Sequence, residues 1–253
     1  MAELAKKLHF LKNGTEQTAK IYTTTNEVGT NYISVKVDGT TGYVPINDIS
    51  HGNSTIGRVT KGGSTYAILS RFAQILSYVG TATDLSEARG GLAATSVGNY
   101  ALFGGGWIDI GYPEYKNTVD AYDTSLTRTI PTALSEARDG LAATTVGDYA
   151  LFGGGGNMGT GIATVDAYDT SLTRTIPTPL SEARYGLSAT SVGDYALFGG
   201  SGSTVDAYDT SLTRTIPTPL SEARYGLSAT SVGICALFGG GGSGYTVDAY
   251  AVS

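Results

Sequence analysis

Residues 180–219 read LSEARYGLSATSVGDYALFGGSGSTVDAYDTSLTRTIPTP, and versions of this stretch begin at Leu85, Leu134, Leu180 and Leu220. They divide the chain into copies 85–133, 134–179, 180–219 and 220–253. Their opening arginines, Arg89, Arg138, Arg184 and Arg224, stand 49, 46 and 40 residues apart. A period of 40–50 residues is the mark of a repeat architecture. Inside one copy the pattern is that of strands. Leu187–Val192 is short, small and β-branched, and Gly193-Asp194 makes a turn. Tyr195–Phe198 is a continuous apolar run, expected of a strand buried on both faces. Gly199-Gly200 breaks it, and Thr204–Tyr208 alternates as a third strand. Asp209-Thr210-Ser211 is a turn, and Thr213–Ile216 is a short fourth strand. Pro217 and Pro219 then end pairing, because proline has no N–H for a ladder. Four short strands per copy is the pattern of a propeller blade, and such units form a core only by stacking.

The order Arg-x-Gly, small-residue strand, Gly-x-Tyr, apolar strand, Gly-Gly and Val-Asp-x-Tyr resembles the kelch repeat. The third copy carries it as Arg184, Gly186, Gly193, Tyr195, Gly199, Gly200 and Tyr208. The second carries it as Arg138, Gly140, Gly147, Tyr149, Gly153, Gly154 and Tyr168. The resemblance covers residues 85–253 and implies a kelch-like β-propeller of about four blades. It departs from the family in one respect. Kelch repeats carry a tryptophan shortly after the last tyrosine, where this chain has Arg128, Arg174 and Arg214. Its one tryptophan, Trp107, lies elsewhere.

Residues 1–70 are unlike the repeats. They read as three hairpins: Lys7–Tyr22 about Asn13-Gly14, Ile33–Ile46 about Asp38-Gly39, and Ile56–Leu69 about Gly62-Gly63. Asn-Gly and Asp-Gly between alternating runs are strong hairpin signals. The expected fold class is all-β, with a small N-terminal β-hairpin domain before the propeller. So small a domain is marginal alone, which points to attachment or homo-oligomerisation. Residues 71–84 are a linker or a closing strand, with Ile75–Thr81 placed to complete the last blade.

The 253 residues carry a net charge of −6 and 36 glycines. Residues 1–71 are net +3 and residues 72–253 net −9. An acidic repeat domain argues against nucleic acid, which needs a basic surface. No apolar run is long enough to insert in a membrane, and the start lacks the apolar stretch of a signal peptide. Cys235 is alone, so no internal disulfide is expected. It replaces the tyrosine of the other copies and reads as a buried strand residue. His9 and His51 are the only histidines and fall outside the repeats. This argues against a metal site, a cofactor or a hydrolytic triad, and for a chain that is not an enzyme. A sugar-active carboxylate pair, Asp109 and Glu114, is the weaker alternative.

The copies differ most between Gly-Gly and Thr-Val-Asp-Ala-Tyr. These segments are 106–117 (12 residues), 155–163 (nine), 201–203 (three) and 241–245 (five). They occupy one position in the copy and are expected on one face, and a constant scaffold bearing variable loops is how binding proteins are built. Trp107, Tyr112 and Tyr115 beside Asp109, Glu114 and Lys116 suit stacking on sugars or anchoring a protein. Asn157, Met158 and Tyr245 complete the candidate ligand set. Folding back of Trp107 and Ile108 onto a neighbouring blade is the alternative. The Asp-x-x-Asp pairs, such as Asp166/Asp169, read as turn caps rather than a calcium loop. Glu136–Arg138, Glu182–Arg184 and Glu222–Arg224 read as ion pairs, or as arginines bonding carbonyls between blades. An arginine-lined channel for an anion is the alternative.

The leader followed by TVDAYDTSLTRT repeats is similar to kelch-type proteins of phages and prophages of Gram-positive gut bacteria. That resemblance implies a virion protein of the tail or fibre type, made in the host cytoplasm. It would bind a host-surface glycan or protein, and other virion proteins through residues 1–70. An intracellular kelch-type interaction scaffold is the alternative.

Overall fold

A computed structural model describes the strands within residues 7–69, residue 78, and residues 80–252 except 243. The chain divides into two units, residues 1–79 and 80–253. All regular structure described is β-strand, and the sheets are antiparallel. Among these residues no helix is long and apolar enough to cross a membrane.

The first unit contains β1 (Lys7–Lys12), β2 (Thr15–Lys20), β3 (Tyr22–Thr25), β4 (Asn31–Val37), β5 (Thr40–Pro45), β6 (Thr55–Lys61) and β7 (Ser64–Leu69). The three expected hairpins are present. Each closes over two residues, as Lys12 pairs with Thr15, Val37 with Thr40, and Lys61 with Ser64. Two-residue loops impose the tight registers that Asn-Gly, Asp-Gly and Gly-Gly favour. The hairpins do not stand apart. The first and third join in one sheet, ordered β2-β1-β7-β6, and β3 adds to the second to make β3-β4-β5.

The second unit opens with β8 (Ala93–Val97), β9 (Tyr100–Gly104), β10 (Trp107–Asp109), β11 (Pro113–Tyr115), β12 (Val119–Tyr122) and β13 (Arg128–Thr129). The second copy gives β14 (Ala142–Val146), β15 (Tyr149–Gly153), β16 (Gly156–Asn157), β17 (Thr160–Gly161), β18 (Val165–Asp169) and β19 (Arg174–Thr175). The third gives β20 (Ser188–Val192), β21 (Tyr195–Gly199), β22 (Val205–Asp209) and β23 (Arg214–Thr215). The fourth gives β24 (Ser228–Val232), β25 (Cys235–Gly239) and β26 (Val247–Ala251). Copies one to three each form a four-stranded meander, and the fourth a three-stranded one. Most of Ile75–Thr81 lies outside the described residues; Tyr78, Gly80 and Thr81 belong to no strand.

Each copy folds for local reasons. Gly98, Gly147, Gly193 and Gly233 adopt φ of 51–58°, a left-handed conformation that glycine takes without steric cost, and they turn the first strand into the second. In the second turn Asp123 Oδ1 accepts from the N–H groups of Ser125 and Thr127, both at 2.9 Å. Asp169 and Asp209 do the same in their copies. The expected capping role is therefore filled by the second aspartate of each Asp-x-x-Asp.

The core is built between copies. Val97, Leu102, Val119 and Ala121 of the first sheet pack on Leu134, Leu141, Ala150, Phe152 and Tyr168 of the second. The equivalent residues join the second sheet to the third, and the third to the fourth. The glycine pair after the second strand does more than end it. A Cβ on Gly104 would stand 2.9 Å from the Phe152 ring, one on Gly153 2.7 Å from Phe198, and one on Gly199 2.8 Å from Phe238. Each is a seat for the next copy's phenylalanine, and a side chain there would force the sheets apart.

Candidate functional site

A buried polar centre holds each copy together. Arg138 donates from Nη2 to Asp166 Oδ2 at 2.7 Å and to the Phe152 carbonyl, and both charged side chains are fully buried. Ser135 donates to the same carboxylate through its N–H and hydroxyl, each at 3.0 Å. Arg89 pairs with Asp120 at 2.7 Å in the first copy, Arg184 with Asp206 in the third, and Arg224 with Asp248 in the fourth. Burial pulls the Arg184 guanidinium below its ordinary value, against the opposing field of Asp206. These partners correct the expected Glu–Arg pairs. The glutamates two residues before the arginines instead accept from threonine hydroxyls, Thr118 to Glu87, Thr164 to Glu136 and Thr204 to Glu182. The arginines bond carbonyls of their own copy, not of a neighbour. They are enclosed rather than lining an open channel, because a buried guanidinium is tolerable only when paired.

Arg128, Arg174 and Arg214 open the short fourth strands β13, β19 and β23. Their Nε atoms lie 3.6–3.8 Å from the same three aspartates. Arg174 also donates to the Ala133 carbonyl at 2.5 Å and Arg214 to that of Pro179 at 2.6 Å. They tie the connection between copies to the sheet, as do Tyr168 and Tyr208, whose hydroxyls donate to the Thr132 and Thr178 carbonyls. Each of these tyrosines meets the phenylalanine of its own sheet edge to face, at 5.9–6.0 Å.

The variable segments all join the second strand of a meander to the third, so they leave the same end of each sheet. The opposite end carries the Gly-x and Asp-Thr-Ser turns. The longest segment is not an irregular loop. Trp107 pairs with Tyr115 and Asp109 with Pro113, making the hairpin β10–β11. Its tip is closed by Gly111 N–H donating to Asp109 Oδ1 at 2.9 Å. Trp107 is half-buried: its N–H and carbonyl bond Gly90, and its indole lies over Gly91. Tyr115 and Glu114 are also half-buried, while Asp109 and Tyr112 are exposed, Tyr112 at 65 %. Lys116 contacts Glu114 at 2.7 Å and Glu87 at 3.3 Å, an arrangement that raises its affinity for its proton.

In the second copy β16 pairs with β17 around Met158-Gly159, with Met158 exposed at the tip and Asn157 donating to the Ala137 carbonyl at 3.1 Å. In the fourth, Tyr245 stands 96 % exposed. Two aromatics escaped the sequence reading. Tyr185 and Tyr225, the middle residues of Arg-x-Gly, are exposed at the same end. Tyr185 lies against the backbone of Gly156, and the Tyr225 carbonyl accepts from Gly242 N–H at 2.9 Å. The signal was available: this position varies among copies as Gly90, Asp139, Tyr185 and Tyr225, just as the loops vary. Burial raises the Asp139 carboxyl at this position above the ordinary carboxylate value. Among the described residues no group of three or more His, Cys, Asp or Glu is placed to hold a metal ion. Cys235 is a free thiol, half-buried in β25.

No family model matches the chain, and no curated protein matches it.

Proposed function

We propose that the chain is a non-enzymatic binding protein of the virion tail or fibre type, built on kelch-like propeller blades. Its ligand, a host-surface glycan or protein, is held at the variable end of the stacked sheets. The observation that carries this reading is the separation of constant from variable. The buried Arg–Asp centres and phenylalanine seats recur from copy to copy, while exposed Tyr112, Met158, Tyr185, Tyr225 and Tyr245 gather at the one end where the copies differ. Exposed tyrosines present large, rigid surfaces with a polar tip, which suits stacking on sugar rings or anchoring a protein. The virion assignment rests on the resemblance of the leader and repeats to phage proteins, with residues 1–70 as the attachment module.

The test is binding of the full chain to a panel of Gram-positive cells and glycans. It is run beside a variant whose residues 106–117 are replaced by Ser-Gly-Ser, the length of the third copy's segment. Binding by the parent and loss of at least tenfold in the variant supports the reading. Equal binding by both, or by neither, overturns it for this loop.

A further inference from the structure

The three internal interfaces repeat one set of contacts, and the two ends of the stack display its unmatched halves. One half is a socket. In sheets one to three the residues equivalent to Val205, Leu197, Val192 and Ala207 are buried under the next copy. In the fourth sheet they are Val247, Leu237, Val232 and Ala249. Val247 is 59 % and Val232 65 % exposed, Ala249 is exposed, and Leu237 is half-buried. The glycine seats agree. Gly98, Gly147 and Gly193 touch Thr170, Thr210 and Val252 of the following sheet, whereas a Cβ on Gly233 would meet nothing within 4 Å among the described residues. Among the described residues Gly239 has only Val247 of its own sheet beside it, with no phenylalanine seated on it.

The other half is a plug. Ala150, Phe152 and Leu141 of the second sheet are buried by the first, as are their equivalents in the third and fourth. Their counterparts in the first sheet are Ala101, Phe103 and Leu92. Ala101 is exposed and the other two are half-buried. Leu172 and Leu212 pack on the preceding sheet's core despite the strained φ of 62–63°, while Leu126, with the same φ, is 45 % exposed.

We infer that these two faces are the halves of an interface between copies of this chain, with the fourth sheet of one receiving the first sheet of the next. The occupant is set by continuity with the internal interface. The face on the fourth sheet is matched by a face of the same residue types on the first, and Phe103 has its seat on Gly239 of a second copy. The contact is head-to-tail. Such a contact closes into a ring if the rotation allows and otherwise extends as a filament. It does not depend on what the variable end binds.

The full chain is tested by sedimentation over a range of concentrations, with Val247→Lys and Ala101→Arg as variants. Both positions are exposed, so folding is checked simply by an unchanged circular dichroism spectrum. The parent is expected at twice 26.1 kDa or a higher multiple, and each variant alone at 26.1 kDa. A mixture of the two is expected to re-form a species of twice that mass, because it unites one intact socket with one intact plug. A parent that stays monomeric overturns the inference. So do variants that remain assembled, and a mixture that does not associate.

A covalent test leaves both faces in place, at the cost of one side chain in the left-handed conformation of Gly233. A Cβ on Gly98 stands 3.4 Å from Thr170 Cβ, close to disulfide range. In Gly233→Cys/Thr124→Cys/Cys235→Ser the equivalent pair spans the proposed contact. Oxidation is expected to give cross-linked multiples of the chain. A disulfide formed within a single chain, or none, overturns the inference.

Discussion

Asn in place of Asp166 tests the buried centre most directly. The carboxylate is fully buried and accepts from Ser135 twice at 3.0 Å and from Arg138 at 2.7 Å, with Arg174 Nε 3.7 Å away. Asp166→Asn preserves shape but strands the Arg138 guanidinium without its counter-charge. Breaking a buried pair from one side costs about 3–5 kcal/mol. For a chain of this size that lowers Tm by about 6–20 °C, at roughly 2–4 °C per kcal/mol. Asp248 is the internal control. Its side chain is 18 % exposed, so water partly replaces the lost partner. Asp248→Asn is expected to cost about 1.5–3 kcal/mol, the worth of hydrogen bonds to a charged group. Thermal and urea melts followed by circular dichroism give both values. Replacing the pair together, as Arg138→Met/Asp166→Leu, should recover much of the loss, since an apolar pair leaves no charge unpaired. Equal costs at positions 166 and 248, or a cost under about 1 kcal/mol at 166, would refute the view that burial of this pair governs the copy's stability.

Three further outcomes follow from the geometry. Gly153→Ala places a methyl 2.7 Å from the Phe198 ring, and overpacking of this kind costs about 1–3 kcal/mol, whereas Gly239→Ala, with no phenylalanine seated on it, should leave the urea midpoint of the monomer nearly unchanged. Burial raises the hydroxyls of Tyr168 and Tyr208 above the ordinary value of 10 and pushes that of Tyr250 up to about 12. A raised folded-state value gives stability that is complete below pH 10 and lost as pH rises toward 12 and beyond. The phenolate absorbance should therefore titrate in two phases, the second coinciding with unfolding; a single phase near pH 10 would contradict the burial. Asp123 and Asp209 are lowered below 3.8, chiefly by the hydroxyls of Ser125 and Ser211 and by backbone N–H groups. Their contribution is present above the ordinary carboxylate value and lost as pH falls below it. Asp209→Asn should accordingly flatten the fall of Tm between about pH 5 and pH 2, and an unchanged acid profile counts against the cap.

Much of this protein is local and was legible from the chain. The hairpins of residues 7–69, the four copies and their strands all follow from two-residue turns, left-handed glycines and apolar runs, which act within a few residues. The end that carries the varying segments was legible too, because segments that all join the second strand to the third must leave the same end of each sheet, whereas the exposed Tyr185 and Tyr225, varying at a separate position, were placed there only by the fold. Partnership and exposure were decided in three dimensions. Arg138 passes over Glu136, two residues away, for Asp166, 28 residues away, because only that carboxylate is enclosed beside it once the meander forms. Trp107, expected in a loop, is drawn onto Gly91 by a short hairpin. The clearest case is a single residue type in repeated context. Val97, Val146 and Val192 are buried, yet Val232, from the same SATSV strand as Val192, is open to solvent. Sequence assigns each a strand and a face; whether that face is covered depends on which sheet comes next in the stack, because burial belongs to the neighbour as much as to the residue.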